Sequence, residues 1–162
     1  MGKETVRDVE RVYIDQMTLA DLDGVMAVEE VSYVTPWSRR AFVSELTENI
    51  HAHYIVARLG QEVVGYAGMW VILDEAHVTN VAVRPDWRRR GLGERLLREL
   101  IYRARARGAT RMTLEVRKSN LPAQRLYTRL GFVPRGIRKG YYSDTGEDAI
   151  IMWLEDLWDQ KY

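Results

Sequence analysis

The sequence contains no cysteine, and this absence excludes disulfide bonds, thiolate metal sites and a cysteine nucleophile. It also lacks any apolar run that approaches the roughly 20 residues of a membrane-spanning helix, and its N-terminus has no signal-peptide pattern. These absences predict a soluble cytoplasmic protein with no membrane partner. The 162 residues, of which 46% are hydrophobic and 29% are charged, have the composition of one ordinary globular domain.

The sequence also has no large excess of positive or negative charge, since its formal net charge is +1. The charge is nevertheless unevenly distributed: residues 84–111 carry ten arginines and three acidic residues, whereas residues 141–162 carry six acidic residues and one lysine. A nucleic-acid-binding domain would favour a strongly basic chain, so we expect a local anionic ligand and no nucleic-acid partner. The alternative, a nucleic-acid-binding domain that uses the arginine run, predicts binding that weakens steeply with salt.

The periodicity of apolar residues predicts one α/β domain over residues 11–162, preceded by a polar extension, residues 1–10. Seven segments have the β-branched or alternating composition of strands, namely residues 11–17, 53–59, 62–73, 78–83, 110–116, 132–139 and 148–154. Helices are predicted after capping residues or a glycine turn, and they begin near Leu22, Arg39, Leu92 and Leu121. Because a helix connects strands 78–83 and 110–116, these two strands should be parallel.

A glycine-rich turn, Arg88-Arg89-Arg90-Gly91-Leu92-Gly93, leads directly into the predicted helix 92–108. Free N–H groups at the start of a helix bind anions, and phosphate is their usual ligand. The turn lacks the Gly-Lys-Ser/Thr of a P-loop, and Leu96 stands where a dinucleotide-binding loop needs its third glycine. The turn therefore predicts a phosphate site of another kind, or else a solvated basic turn in front of an amphipathic helix.

The spacing of Arg88, Gly91 and Gly93 resembles the pyrophosphate loop of the GNAT acyltransferase superfamily, which binds acetyl-CoA. Five further motifs resemble the RimI group of that superfamily, which acetylates protein N-termini; they are Pro36-Trp37-Ser38, Leu114–Asn120, Leu130-Gly131-Phe132, Arg138–Tyr142 and Glu147–Met152. The resemblance extends over residues 11–154. It implies the GNAT fold, a mixed central sheet of about seven strands with about four helices, in which strands 78–83 and 110–116 splay to leave a slot for acetyl-CoA.

The resemblance also assigns the cofactor-binding residues. Strand 78–83 would present backbone groups to the pantetheine arm and the acetyl carbonyl, and the glycine turn would hold the pyrophosphate mainly through main-chain N–H groups. The residues so assigned are Val81, Ala82, Val83, Arg88, Arg89, Arg90, Gly91, Leu92, Gly93, Glu94 and Asn120. Asn120 would have a second task as the cap of the helix that follows it. We expect no metal, because His51 and His53 have no evident third ligand.

Acetyl transfer from a thioester to an amine requires a proton acceptor for the amine and a proton donor for the departing thiolate. Glu115 lies on the face of strand 110–116 opposite Met112 and Leu114, where partial desolvation would make its carboxylate a stronger base. The resemblance assigns Glu115 as this base, acting directly or through a water, and Tyr127 as the proton donor to the CoA sulfur. From the residues alone, a solvent-facing strand glutamate and a core tyrosine remain alternatives.

The acceptor is predicted to be the α-amine of a protein N-terminus. Two aromatic segments, one with Tyr33 and Trp37 and the other with Tyr141 and Tyr142, should flank the acceptor end of the slot. The tyrosine pair resembles the feature with which N-terminal acetyltransferases exclude an internal lysine. Adjacent strand residues face opposite ways, so one of the two tyrosines should only pack the hairpin. His77 is interpreted as a strand residue and not as a catalyst.

The resemblance implies direct transfer in a ternary complex of enzyme, acetyl-CoA and a protein substrate, for which the N-terminal alanine of a ribosomal protein is the candidate. Within the enzyme class, a lysine side chain, a polyamine or an aminoglycoside is the alternative acceptor. Outside that class, a non-catalytic acyl-CoA-binding module is the alternative, and it would be favoured if Glu115 and Tyr127 proved remote from the slot. No pattern in the sequence indicates the oligomeric state.

Overall fold

Seven strands and four α-helices of nine or more residues follow the predicted order in the computed structural model, which describes residues 9–33 and 35–158. The strands are β1 (Tyr13–Gln16), β2 (Ala52–Leu59), β3 (Glu62–Ile72), β4 (Glu75–Val83), β5 (Arg111–Arg117), β6 (Val133–Tyr142) and β7 (Glu147–Leu154). The helices are α1 (Leu22–Ser32), α2 (Arg39–Thr47), α3 (Leu92–Ala106) and α4 (Leu121–Arg129). Short 3-10 helices, Leu19–Asp21 and Pro85–Trp87, lie before α1 and α3.

The strands form one mixed sheet in the order β1-β2-β3-β4-β5-β7-β6. β1 is antiparallel to β2, and β7 is antiparallel to both β5 and β6. β4 and β5 are parallel, with His77 opposite Thr113. The prediction that a helical crossover joins two parallel neighbours is therefore confirmed, as is the α/β fold class. The splay that the resemblance implies farther along β4 and β5 stays a prediction.

Short polar side chains fix where the helices begin. Asp21 accepts the Thr18 N–H at 2.8 Å just before α1. Ser38 caps α2, because its hydroxyl accepts an N–H three residues further on at 3.1 Å. Asn120 caps α4 in the same way at 3.2 Å. Such caps stabilise a helix by about 1 kcal/mol each, so the helix starts were predictable from single residues.

The described residues divide into two units. The first unit contains the described residues up to Gly68 together with Asn80–Leu100. Its core is aromatic: the buried ring of Phe42 lies edge-on to the rings of Tyr54 and Tyr66, with centroids 6.3 and 5.7 Å apart. This cluster packs α1 and α2 against β2 and β3.

The second unit contains Met69–Thr79 and the described residues from Ile101 onward. Met112, Leu114 and Phe132 are fully buried there. Successive residues of β5 lie on opposite faces of the sheet. Met112 and Leu114 face this core, so the carboxylate of Glu115 points away from it. The division into an extension, residues 1–10, and a single domain, residues 11–162, stays a prediction.

The predicted strand boundaries lie within three residues of the observed ones. β4 begins three residues earlier than predicted, because the alternation starts at Glu75: Ala76 and Val78 are buried, whereas Glu75 and His77 are half-buried. Most of the predicted extension falls on residues 1–8, which lie outside the described residues. Val9–Arg11 are helical, and Arg95 donates hydrogen bonds to the carbonyls of Val9 and Val12 at 3.3 and 2.8 Å. No helix in the described part of the chain is long and apolar enough to cross a membrane.

Candidate active site

The glycine-rich turn lies in the first unit, between a one-turn 3-10 helix and α3. Two of its three arginines are held by the protein itself. The Arg88 Nε donates to the Val83 carbonyl at 3.1 Å, and the Arg90 guanidinium lies 4.5 Å from the centre of the Trp87 ring. These contacts fix the chain before the helix, and the main-chain groups and the Arg89 side chain are left as the ligands that the turn can offer.

The backbone of the turn exposes N–H groups at the start of α3. Arg89 and Gly91 both have a positive φ, +62° and +79°, which turns consecutive peptide groups into the concave arrangement that binds anions. The first helical hydrogen bond runs from the Arg95 N–H to the Gly91 carbonyl at 3.1 Å, so the N–H groups of residues 92–94 have no helical acceptor. A Cβ at Gly91 would have no atom within 4 Å. The turn therefore has the positive charge, the N–H donors and the open space that a diphosphate group needs.

The last three residues of β4 lie beside this turn in the first unit. Ala82 is buried, and Val81 and Val83 are half-buried. The hydroxyl of Tyr33 donates to the Val81 carbonyl at 3.0 Å. Tyr33, a predicted acceptor-site residue, thus binds the backbone of Val81, a predicted cofactor-binding residue. The Tyr33 hydroxyl therefore already has a partner within the protein.

Trp37 belongs to the packing of the first unit. Its ring lies 5.4 Å from the Phe42 ring, and its main-chain N–H donates to the Glu29 Oε1 at 2.9 Å. Glu29 is buried, and burial raises the pKa of its carboxyl group. These contacts anchor Trp37 in the first unit, and a contact between Trp37 and substrate stays a prediction.

Glu115 lies in the second unit, where two basic side chains face it. Its Oε2 is 2.7 Å from the Nε2 of His77, and its Oε1 is 3.6 Å from the Nε of Arg138. The Glu115 side chain is 9% exposed, whereas that of His77 is 34% exposed. The alternative that Glu115 is a solvent-facing strand residue is therefore wrong. His77 is a strand residue, as predicted, but the sequence did not reveal that it is hydrogen-bonded to Glu115.

Tyr127 lies on α4 with its ring 5.9 Å from the Phe132 ring. The residue keeps some exposed surface, but its hydroxyl lies in a desolvated environment that raises its pKa to about 12. Its hydroxyl makes no hydrogen bond to any described residue. A phenol that stays protonated and has no protein acceptor is suited to donate a proton to a ligand.

Tyr141 and Tyr142 face each other, and the prediction that they point in opposite directions is wrong. Their rings are 5.1 Å apart at 88°. The register between β6 and β7 shifts between Arg138 and Tyr142, where Gly140 has φ +61°. This irregularity breaks the two-residue alternation that the prediction assumed. Burial raises the pKa of both hydroxyl groups, that of Tyr142 to about 12, and the charge of Glu115 adds to both shifts.

Asn120 acts as the predicted helix cap, and its contact to pantetheine stays a prediction. Glu94 accepts from Arg98 one turn further along α3 at 3.4 Å. Among the described residues, no group of three or more His, Asp or Glu side chains is arranged to hold a metal ion.

Comparison with known proteins agrees with these features. Residues 22–132 match the acetyltransferase (GNAT) family. A Bacillus subtilis protein named as a candidate ribosomal protein bS18-alanine N-acetyltransferase is 45% identical over 141 residues, which is 87% of this chain and 93% of that protein. The N-alpha-acetyltransferase RimI of Mycobacterium tuberculosis is 40% identical over 151 residues, 90% of this chain and 93% of that protein.

The fold agrees as well. The crystal structure of the ribosomal-protein-S18-alanine N-acetyltransferase from Escherichia coli superposes with a TM-score of 0.80 and 37% sequence identity, covering 88% of this chain and 92% of that one. The family match covers more than half of the chain, and the mixed seven-stranded sheet is that of the structural relatives. The chain therefore belongs to the GNAT family of acetyl-CoA-dependent N-acetyltransferases.

Proposed function

We propose that this chain transfers the acetyl group of acetyl-CoA to the α-amine of protein N-termini, and that the N-terminal alanine of a bS18-type ribosomal protein is among its substrates. The observation that carries the proposal is the Glu115 carboxylate, whose side chain is only 9% exposed and is held by His77 at 2.7 Å. Beyond the larger effect of burial, its charge also raises the pKa of the Tyr141 and Tyr142 hydroxyl groups. The names of two close relatives support the α-amine as the acceptor. In this proposal the amine attacks the thioester directly, in a ternary complex of enzyme, acetyl-CoA and protein substrate.

Bound acetyl-CoA supplies an activated acetyl thioester, and the residues of the chain supply binding and proton transfer. The glycine-rich turn binds the pyrophosphate through the N–H groups around Gly91, while Val81–Val83 and Asn120 hold the pantetheine arm. This role suits a turn whose N–H groups precede the first helical hydrogen bond. Holding both substrates in place can lower the barrier by about 7 to 11 kcal/mol.

Glu115 accepts the proton of the substrate ammonium group, at Oε1 or through a water. A free α-amine has a pKa near ~8, whereas that of lysine is about 10.4, so one carboxylate is a sufficient base for an N-terminus at neutral pH. His77 fixes the other carboxylate oxygen and thereby the direction in which Oε1 points. His77 is more exposed than Glu115, so its imidazole also connects the buried carboxylate to solvent.

Tyr127 donates the proton that the CoA thiolate needs as it leaves. Its hydroxyl is protonated at neutral pH, as in any tyrosine, and burial raises its pKa to about 12, so it also stays protonated in alkaline solution. Proton donation by a positioned side chain contributes typically about 100-fold to 10,000-fold to a rate. The proposal assigns Tyr141 and Tyr142 to the wall of the acceptor site, and the assignment of Tyr33 and Trp37 to substrate binding stays a prediction.

The acceptor assignment predicts which peptides react. Peptides that begin with Ala, including the N-terminal peptide of bS18, and peptides that begin with Ser should be acetylated. The same peptides with a blocked N-terminus and one free lysine should not react, because the tyrosine walls and a single carboxylate favour the α-amine. Mass spectrometry after incubation with acetyl-CoA measures both. Equal or faster modification of the lysine would support the alternative acceptor and contradict the α-amine.

The turn assignment predicts the effect of charge at position 91. Gly91→Asp should weaken acetyl-CoA binding roughly 5-fold to 1,000-fold more than Gly91→Asn, since a contact between like charges costs about 1 to 4 kcal/mol. The two side chains have nearly the same size and both tolerate a positive φ, so their difference isolates the charge. Calorimetry measures the two dissociation constants. Equal affinity of the two variants would show that no phosphate lies at this turn.

A non-catalytic acyl-CoA-binding module is the second candidate function. The contacts of Glu115 and Tyr127 argue against it, because a binding module has no need of a buried carboxylate or of a protonated phenol without a protein acceptor. Tight binding of acetyl-CoA without acetylation of any amine in the peptide panel would support the binding module.

A further inference from the structure

Arg117 joins the end of β5 to the β6–β7 hairpin through three kinds of contact. Its guanidinium carbon lies 4.0 Å from the centre of the Tyr142 ring. One guanidinium nitrogen donates to Asp144 at 2.7 Å, and the other donates to the Thr145 hydroxyl at 3.2 Å and to Glu147 at 3.5 Å. The planar fork of an arginine can stack on a ring and pair with carboxylates at once, which a lysine cannot do.

The strand register places Arg117 and Tyr142 on the same face of the sheet as Glu115. Arg117 follows Glu115 by two residues on β5 and therefore shares its face. Arg117 pairs with Ala149 on β7, and Tyr142 pairs with Glu147, two residues before Ala149. The Tyr142 ring thus lies on the same face of the sheet as the proposed base, with the Arg117 guanidinium stacked on it.

Tyr142 also packs against the other tyrosine of the hairpin. Its ring lies edge-on to Tyr141, and the pKa of its hydroxyl is raised by burial, with a smaller contribution from the charge of Glu115. A shift of the Tyr142 ring would therefore open the wall of the acceptor site without removing Glu115 or Tyr127. Ordinary strand alternation does not hold Tyr142 in this position, because the register is irregular between Arg138 and Tyr142.

The charges around Arg117 form a network of several partners and not an isolated ion pair. The Asp144 side chain is 10% exposed and that of Arg117 is 27% exposed. Glu147 is fixed from a second side, since it accepts the Ser119 N–H at 2.7 Å. Isolated surface pairs contribute little, but a guanidinium that is shared by two carboxylates and a ring has one preferred position.

We propose that Arg117 is a positioning residue that sets acceptor selectivity: it clamps the Tyr142 ring on the face of the sheet that carries Glu115 and so keeps the acceptor site too narrow for a lysine side chain. This inference rests on the proposed N-terminal acetyltransferase function. It assigns the selectivity of the site to a residue that itself contacts neither acetyl-CoA nor the reacting amine.

The test is Arg117→Lys, which keeps the charge but loses the fork and the ring stacking. The ratio of kcat/KM for an Ala-starting peptide to that for the blocked lysine peptide should fall about tenfold, with an unchanged Kd for acetyl-CoA. Arg111→Lys is the matched control. Arg111 also lies on β5, stacks on Trp153 at 5.5 Å and pairs with Glu75 at 3.1 Å, but at the opposite end of the strand. This control should keep the ratio of the unchanged protein.

A double-mutant cycle tests whether Arg117 acts through Tyr142. Tyr142→Leu removes the ring, so adding Arg117→Lys to it should change the selectivity ratio no further. Independent, multiplying losses in the double variant would overturn the proposal, as would an unchanged ratio in Arg117→Lys. Circular dichroism checks that each variant is folded.

A measurement without substrate separates this inference from the proposed function. The measurement is NMR spectroscopy of protein with isotope-labelled tyrosine rings. The Tyr142 resonance is assigned as the signal that disappears in Tyr142→Leu. Arg117→Lys should shift and broaden that resonance, whereas Arg111→Lys should leave it in place. An unmoved Tyr142 signal would overturn the clamp whatever the acceptor is, and a moved signal without peptide acetylation would count against the acceptor alone.

Discussion

Replacing Glu115 by glutamine should lower kcat about 100-fold to 10,000-fold, the usual loss when a general base is removed. Glutamine has the same shape and can still form a hydrogen bond with His77, which lies 2.7 Å from Glu115 Oε2 in the structure. The substitution therefore removes the proton acceptor and leaves the surrounding geometry in place. The KM for acetyl-CoA should change little, because Glu115 is not among the residues proposed to bind the cofactor.

Glu75→Gln is the control for this experiment. Glu75 is also a strand glutamate that pairs with an arginine, Arg111, at 3.1 Å. It is not part of the proposed site, so its replacement should leave kcat unchanged. Steady-state kinetics with an Ala-starting peptide measures both variants. A Glu115→Gln protein that retained the original kcat across the pH range would rule out Glu115 as the base.

Tyr127→Phe should also lower kcat by about 100-fold or more, because it removes the proposed proton donor to the CoA sulfur. Burial raises the pKa of Tyr127 to about 12, so the hydroxyl keeps its proton until the pH approaches that value. The substitution should therefore lower the plateau of the pH–rate profile without moving any inflection below about pH 11. A displaced inflection near neutral pH would mean that Tyr127 tunes another group and is not itself the donor.

The matched control for Tyr127 is Tyr66→Phe. Tyr66 is buried in the aromatic core of the first unit, and its hydroxyl has no hydrogen-bond partner among the residues that the structure describes. Removing that hydroxyl should leave kcat unchanged, which distinguishes the loss of a proton donor from the loss of any buried hydroxyl. If both variants lost activity equally, the effect would be one of packing.

The order of the elements was predictable because it depends on local patterns. Apolar periodicity located the strands and α3, and the capping residues Ser38 and Asn120 marked two helix starts. The parallel pairing of β4 and β5 followed from the helix between them. Glu115 and Tyr127 were assigned by resemblance to a family, because a glutamate on a strand and a tyrosine on a helix also occur without any catalytic role.

The contacts of the site could not be predicted, because they depend on register and backbone irregularity. His77 and Glu115 are 38 residues apart, and only the exact parallel register of β4 and β5 brings their side chains to hydrogen-bonding distance. Tyr141 and Tyr142 were expected on opposite faces. The irregular register near Gly140 turns them towards each other. The pattern of polar and apolar residues along β6 does not predict this irregularity.

The bulge in β6 has a consequence for how such enzymes can diverge. The base is carried by β5, a regular strand, whereas the two tyrosines are carried by a hairpin whose register shifts just before them. One inserted or deleted residue at this bend would change the direction of the Tyr141 and Tyr142 side chains. The proposed proton-transfer residues, Glu115 and Tyr127, would stay in place. Substrate range in this scaffold can therefore evolve by changes in chain length at one bend, independently of the chemistry.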